Sequence, residues 1–447
     1  MRRIEKLIPT LLLLGSLLIF FYVVFQSEVT WGGSKRDLYT KYYFISCGLV
    51  FLSLACFVLP RKFVGTVTLF LGCLGVALYL FEAYLIFQHS KPLTPKDNLV
   101  GSSGKVFDYR SRLEVFNDMS KEWPDIAIRV PPSGRIGKDK EGIFPLAGIS
   151  GATTINCNEN GEFAIYLSDR YGFNNPDSEW DAEEIDFVLV GDSFTHGSCV
   201  DRPADIASAL RRQTGRTVLN LGYTGNGPLI EYATLREYSP SAVKNLVWLY
   251  FEGNDQADLV YEMTDSRLQR YILEAEHSQD LVSRQDEIDV LLRSNIEHKR
   301  KAQEAREREE LESRPTTGPV SFQAVSRFLK LTKARTAIMP PRPRFKVGKE
   351  VEEVVTRVAQ FAEANNSELI FVFLPEYWRY KFGYQRGNYA GLRDLVDQLG
   401  ATFVDIPEEV FEKQDNPLSL FPFGEAGHYT EAGYWQVAEA ILEAIRD

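Results

Sequence analysis

The chain is poor in the residues that build metal centres and cross-linked frameworks, with 5 cysteines, 5 histidines and 4 methionines among 447 residues. No H-E-x-x-H or C-x-x-C spacing occurs, and there is no phosphate-cradling glycine loop, so neither a metal nor a nucleotide cofactor is implied. A cationic surplus is also missing. Lys and Arg number 50 against 61 Asp and Glu, giving a formal charge of -11. This excludes a nucleic-acid partner, because a polyanion needs a basic face. No internal repeat is evident.

Long uncharged runs, by contrast, crowd the first 90 residues. They cover about 7–27, 42–60 and 63–88, the last interrupted by Glu82. Each is long enough as a helix to cross a ~30 Å hydrocarbon core, so residues 1–90 are expected to form three membrane spans. A signal peptide is a poorer reading of the first run, whose apolar stretch is too long and is followed by no small-residue cleavage site. Orientation is not decided by charge. Arg2, Arg3, Lys6, Arg61 and Lys62 favour one topology, and Lys35, Arg36, Lys41, Lys91 and Lys96 oppose it.

Cys47, Cys56 and Cys73 fall in these runs and behave as small apolar residues. Cys157 and Cys199 belong to the remainder, where they suit either a disulfide in an oxidising compartment or two buried thiols.

Residues 97–182 mix short apolar runs with turn signals and read as a small β-rich accessory segment. Within it, 153–156 and 162–167 flank Asn158-Glu159-Asn160-Gly161 as the arms of a hairpin. From residue 183 the pattern becomes continuous apolar runs alternating with helical stretches. The runs are Ile185–Val190, Thr217–Asn220, Leu246–Phe251, Leu369–Leu374 and Thr402–Ile406. Runs of this kind suit parallel strands covered on both faces, so 183–447 is expected to be a three-layer α/β domain. A charged stretch at 262–344 interrupts it. Its first part, 262–314, reads as an exposed insertion helix, or as a lid or an arm for a protein partner.

A serine hydroxyl becomes a nucleophile only with a base, an orienting group for that base, and donors for the oxyanion. Each part has a candidate at a strand end or in a late loop. Ser193 lies in GDSFTHG after the first strand, Gly225 in NLGYTGNG after the second, Asn254 in FEGND after the third, and His428 in EAGHYTEAGY. These four ordered blocks resemble those of the SGNH/GDSL hydrolase superfamily, over about 183–260 and 345–447. The resemblance implies a flavodoxin-like αβα fold, with Ser193 as nucleophile and His428 as base. It makes the Ser193 and Gly225 N–H groups and the Asn254 side chain the oxyanion donors. The family's acid stands three residues before the histidine, where this chain has Glu425; a backbone carbonyl orienting His428 is the alternative. Glu252 departs from the family's usual glycine, and His196 is expected behind the site rather than in it.

Membrane-anchored members of that superfamily often act on O-acetyl groups of exported polysaccharides. The resemblance therefore implies a multi-pass, extracytoplasmic esterase for acylated carbohydrate. An O-acyltransferase, a lipid esterase and a non-catalytic binding protein are the alternatives. Tyr377, Trp378 and Tyr380 follow the fourth strand as candidates for a sugar cleft or for ordinary packing.

Overall fold

The computed structural model describes residues 6–30, 36–90, 106–123, 125–138, 142–312, 322–338, 347–383 and 389–446. The chain forms two compact units, one of 1–94 with 315–343 and the other of 95–314 with 344–447.

The first unit is helical. Leu7–Val24 continues through a wider turn to Thr30, Arg36–Ala55 packs beside it, and Arg61–Ser90 follows. Leu7–Thr30 and Arg61–Phe87 are long and apolar enough to cross a membrane. They turn Leu11, Leu18, Phe21, Leu69, Phe70 and Leu80 outward, as helices facing lipid do. The expected second span, 42–60, differs. Its helix starts earlier, among the charged Arg36, Asp37 and Lys41, and ends at Ala55, so the uncharged part runs only from Tyr42 to Ala55. That falls short of the ~20 residues a span requires.

Two short helices, Phe322–Leu329 and Thr332–Ile338, belong to this unit and not to the α/β body. Glu82 explains why. It is fully buried in the third long helix, and its two oxygens accept the N–H groups of Lys333 at 3.0 Å and Ala334 at 2.6 Å. A carboxylate in an apolar run thus satisfies the open N-terminus of Thr332–Ile338. Tyr79 adds a hydrogen bond to the Leu329 carbonyl at 3.1 Å and packs its ring on Phe328.

The second unit is built on a five-stranded sheet. Its strands follow three short ones, β1 (Ile126–Ile128), β2 (Thr153–Ile155) and β3 (Ile165–Leu167), in which β2 pairs with β1 in parallel and with β3 antiparallel. The main sheet comprises β4 (Ile185–Gly191), β5 (Val218–Asn220), β6 (Val243–Phe251), β7 (Glu368–Leu374) and β8 (Thr402–Asp405). All pairs are parallel, in the order β5-β4-β6-β7-β8. This is a doubly wound α/β sheet, with its chain reversal at β4.

Side-chain alternation divides the core. Phe187, Leu189, Val247, Leu249, Ile370 and Val372 pack under helices Ile206–Thr214 and Glu431–Arg446. Val188, Val190, Leu246, Trp248, Phe371 and Phe373 face Pro228–Tyr238 and Lys349–Ala364 on the other side. Strands buried on both faces have no polar positions to alternate, which is why they read as continuous apolar runs.

Two expected boundaries do not follow the packing. Phe144, Leu146, Ile149 and Phe173 of the segment 97–182 share the main core, so this segment is part of the α/β body. So is the start of the charged stretch. Leu268, Tyr271, Leu281, Ile288, Leu292 and Ile296 are buried in that core, and Asp289 accepts from Ser150 N–H and Oγ–H. The helix Gln285–Glu312 therefore buries one stripe of its first half, and the charge that marks it as solvated lies on its other faces.

Replacing Glu82 with leucine leaves two buried N–H groups without an acceptor. Trypsin cleavage at Lys333 and Arg335 of the detergent-solubilised protein is expected to accelerate about tenfold or more, through easier local opening. An unchanged cleavage rate would contradict the docking role of Glu82.

Candidate active site

In a doubly wound sheet the crevice lies beyond the carboxyl ends of the strands flanking the reversal. Here those strands are β4 and its neighbours β5 and β6, and the loops after them carry Ser193, Gly225 and Asn254. Ser193 opens a short helix, Ser193–His196, capped by Asp192, whose carboxylate accepts Phe194 N–H at 2.8 Å. The turn leaves the Ser193 hydroxyl at the edge of the core, 9% exposed.

His428 reaches it from the loop before the last helix. Its Nε2 lies 2.8 Å from Ser193 Oγ. The ring is held by Phe194, whose centroid is 4.8 Å away, and the next residue, Tyr429, is anchored by its hydroxyl to the Pro375 carbonyl at 2.7 Å. The two side chains meet across 235 residues of sequence.

The third member is not Glu425. That residue is exposed, and the carboxylate on His428 belongs to Glu159. Glu159 Oε1 is 3.0 Å from His428 Nδ1, and Oε2 accepts the His428 backbone N–H at 2.6 Å. One carboxylate thus fixes both the ring and its backbone. With Nδ1–H donating to Glu159, Nε2 is left to accept the Ser193 proton. A side chain at Gly427 would place its Cβ 2.6 Å from Glu159 Oε2 and push the carboxylate from its present position. Burial opposes ionisation of Glu159, but the bonds and charge of His428, with Arg129 beyond, outweigh it and hold the carboxyl below its ordinary range.

Glu159 owes its position to the hairpin turn between β2 and β3. Cys157 in that turn is disulfide-bonded to Cys199, six residues past the nucleophile, and Asn160 Nδ2 donates to the Cys199 carbonyl at 2.7 Å. Both cysteines and His428 have donor atoms within 4.8 Å of one another, the spacing of a metal cluster. The disulfide occupies both sulfurs, so neither is a thiolate ligand in this form.

Gly225 adopts φ +79°, a conformation that side chains disfavour, on the loop after β5. Asn254 precedes the helix Asp255–Glu262 and donates from Nδ2 to Asp258 at 2.5 Å, leaving its second N–H for another acceptor. Glu252 is a structural residue. It is buried in a two-point ion pair with Arg379 and accepts Glu376 N–H at 3.3 Å, tying the β6 loop to the helix after β7. His196 is fully buried, edge-on to Tyr166 and Tyr223, and burial pushes its pKa down to about 3, so it stays neutral. Of the aromatic trio, Tyr377 is buried and Tyr380 stacks on Phe411, while Trp378 is 41% exposed and backed by Phe382.

Glu159→Gln keeps the shape but loses the anion that fixes the tautomer of His428. Hydrolysis of a small acetyl ester is expected to fall on the order of 10³–10⁴ in kcat. Glu425→Gln is expected to stay within a few-fold of wild type. Equal losses in the two variants would remove Glu159 from its role.

No protein-family model matches the chain, and no curated protein does. Among solved structures, one from Desulfitobacterium hafniense DCB-2 assigned to a G-D-S-L family of lipolytic proteins aligns over 58% of this chain and 99% of its own, at 14% identity and a TM-score of 0.27. A likeness that slight carries no weight for fold or activity, which rest on the sheet order and the geometry above.

Proposed function

We propose that the protein is a membrane-tethered serine esterase that removes acyl groups, O-acetyl above all, from cell-surface or exported carbohydrate. The 2.8 Å approach of His428 Nε2 to Ser193 Oγ carries this reading, because it is the contact a serine nucleophile requires. Ser193 Oγ attacks the ester carbonyl as its proton passes to His428 Nε2. The resulting oxyanion is received by the Ser193 and Gly225 N–H groups and the Asn254 side chain. Collapse breaks the ester C–O bond, and His428 returns the proton to the departing sugar hydroxyl. Water then attacks the acyl-serine as His428 takes its proton; the bond between the acyl carbon and Ser193 Oγ breaks, the acid leaves, and His428 returns the proton to Oγ. Glu159 stays ionised throughout and stabilises the transient imidazolium.

The Cys157–Cys199 disulfide supports an oxidising, extracytoplasmic location for this domain. The two apolar helices support the tether. An exposed ring face at Trp378, after β7, suits a carbohydrate partner.

Ser193→Ala and His428→Ala are each expected to abolish deacetylation of an O-acetylated polysaccharide and of a small acetyl ester. They should also abolish labelling by a serine-directed phosphonate. Turnover equal to wild type in either variant would overturn the proposal.

A further inference from the structure

Beside the triad, on the far side of Glu159, lies a cavity of about 460 Å³ lined by Tyr109, Arg110, Arg112, Arg129, Glu159 and Phe163 among others. Its charges do not balance. Arg110 is committed to Asp108 and Asp118, at 2.7 Å and 3.0 Å. Glu159 gives its hydrogen bonds to His428, and its charge reaches Arg129 without forming an ion pair. Arg112 and Arg129 remain, and among the described residues no carboxylate forms an ion pair with either. Arg112 Nε and Arg129 Nε and Nη1 are buried without a hydrogen-bond partner. The two cations are close enough to act on one another, and burial followed by the charge of Arg129 pushes the Arg112 pKa down to about 10.

Two desolvated guanidinium groups lining one cavity are costly unless an anion joins them. Their planar donor forks match the oxygens of a carboxylate or a phosphate, which they grip at two points. Both are placed by backbone elements of the same unit. Arg112 starts the helix Arg112–Met119, and Arg129 follows β1 with its N–H on the Ile155 carbonyl at 3.2 Å. Phe163 and Tyr109 add ring faces to a lining that is otherwise mostly polar and open to solvent.

We infer that this cavity binds an anionic group of the substrate, a carboxylate or phosphate borne by the carbohydrate, and so selects acidic over neutral sugar esters. The inference rests on the esterase reading for its link to turnover, but the binding itself does not.

The test uses the full chain in detergent and measures binding of galacturonate, galactose 6-phosphate and galactose by calorimetry, with Arg112→Gln and Arg129→Gln alongside. One or both anionic sugars are expected to bind wild type at least tenfold more tightly than galactose, and which one does so identifies the anion. Each variant should lose that preference, and two separate half-buried positions, one opening a helix and one following a strand, guard against misfolding of either variant alone. In turnover, Arg112→Gln should lower kcat/KM for an acetylated galacturonate about tenfold more than for acetylated galactose. Galactose binding as tightly as both anions, or anion binding unchanged in Arg112→Gln, overturns the site. If acidic sugars bind through the arginines but no ester is hydrolysed, the anion site stands and the esterase reading fails.

Discussion

The site depends on one carboxylate gripping one histidine twice. Glu159 takes the ring Nδ1–H and the backbone N–H of His428, and those bonds decide where Nε2 points. The sheet supplies Ser193 on a rigid turn, but His428 sits on a loop with no strand to fix it. Tyr429 holds the loop beside it through the Pro375 carbonyl, but the imidazole itself needs a second anchor. Glu159 provides the anchor. The disulfide in turn fixes the Glu159 turn to the loop beyond the nucleophile, closing a ring of constraints through Ser193, His428, Glu159, Cys157 and Cys199.

This arrangement makes the segment before the sheet part of the α/β body. Its three short strands contribute little regular structure, yet its apolar residues complete the main core and its turn delivers Glu159. The charged stretch after β6 behaves similarly. Glu262, at its start, is buried and accepts the N–H groups of Gly227 and Leu229, closing the loop after Gly225 onto the next helix. The part that does leave the body, Phe322–Ile338, joins the apolar helices through Glu82, so one long insertion serves both units.

Much of this was legible in the sequence. The five apolar runs become β4 to β8, because strands covered on both faces admit no polar residues. Ser193 and His428 were legible because each lies in a compact motif, and the structure brings them together. Glu159 escapes a motif reading because the motif holds an acid three residues before His428, whereas contact here is made from 269 residues away. A signal was available. Pairing Cys157 with Cys199 places residue 159 beside the Ser193 loop, and Glu159 is the carboxylate of that turn nearest the disulfide in sequence. The split insertion was hidden for a related reason, since Leu281, Ile288 and Leu292 bury a narrow stripe within a strongly charged composition.

The claim that Glu159 acts through His428 is tested most directly by a double-mutant cycle on kcat/KM for a small acetyl ester. Residues that act as one unit give strongly non-additive losses. The account predicts that His428→Ala with Glu159→Gln is no slower than His428→Ala alone. Losses that multiply, as for two independent residues, would contradict it.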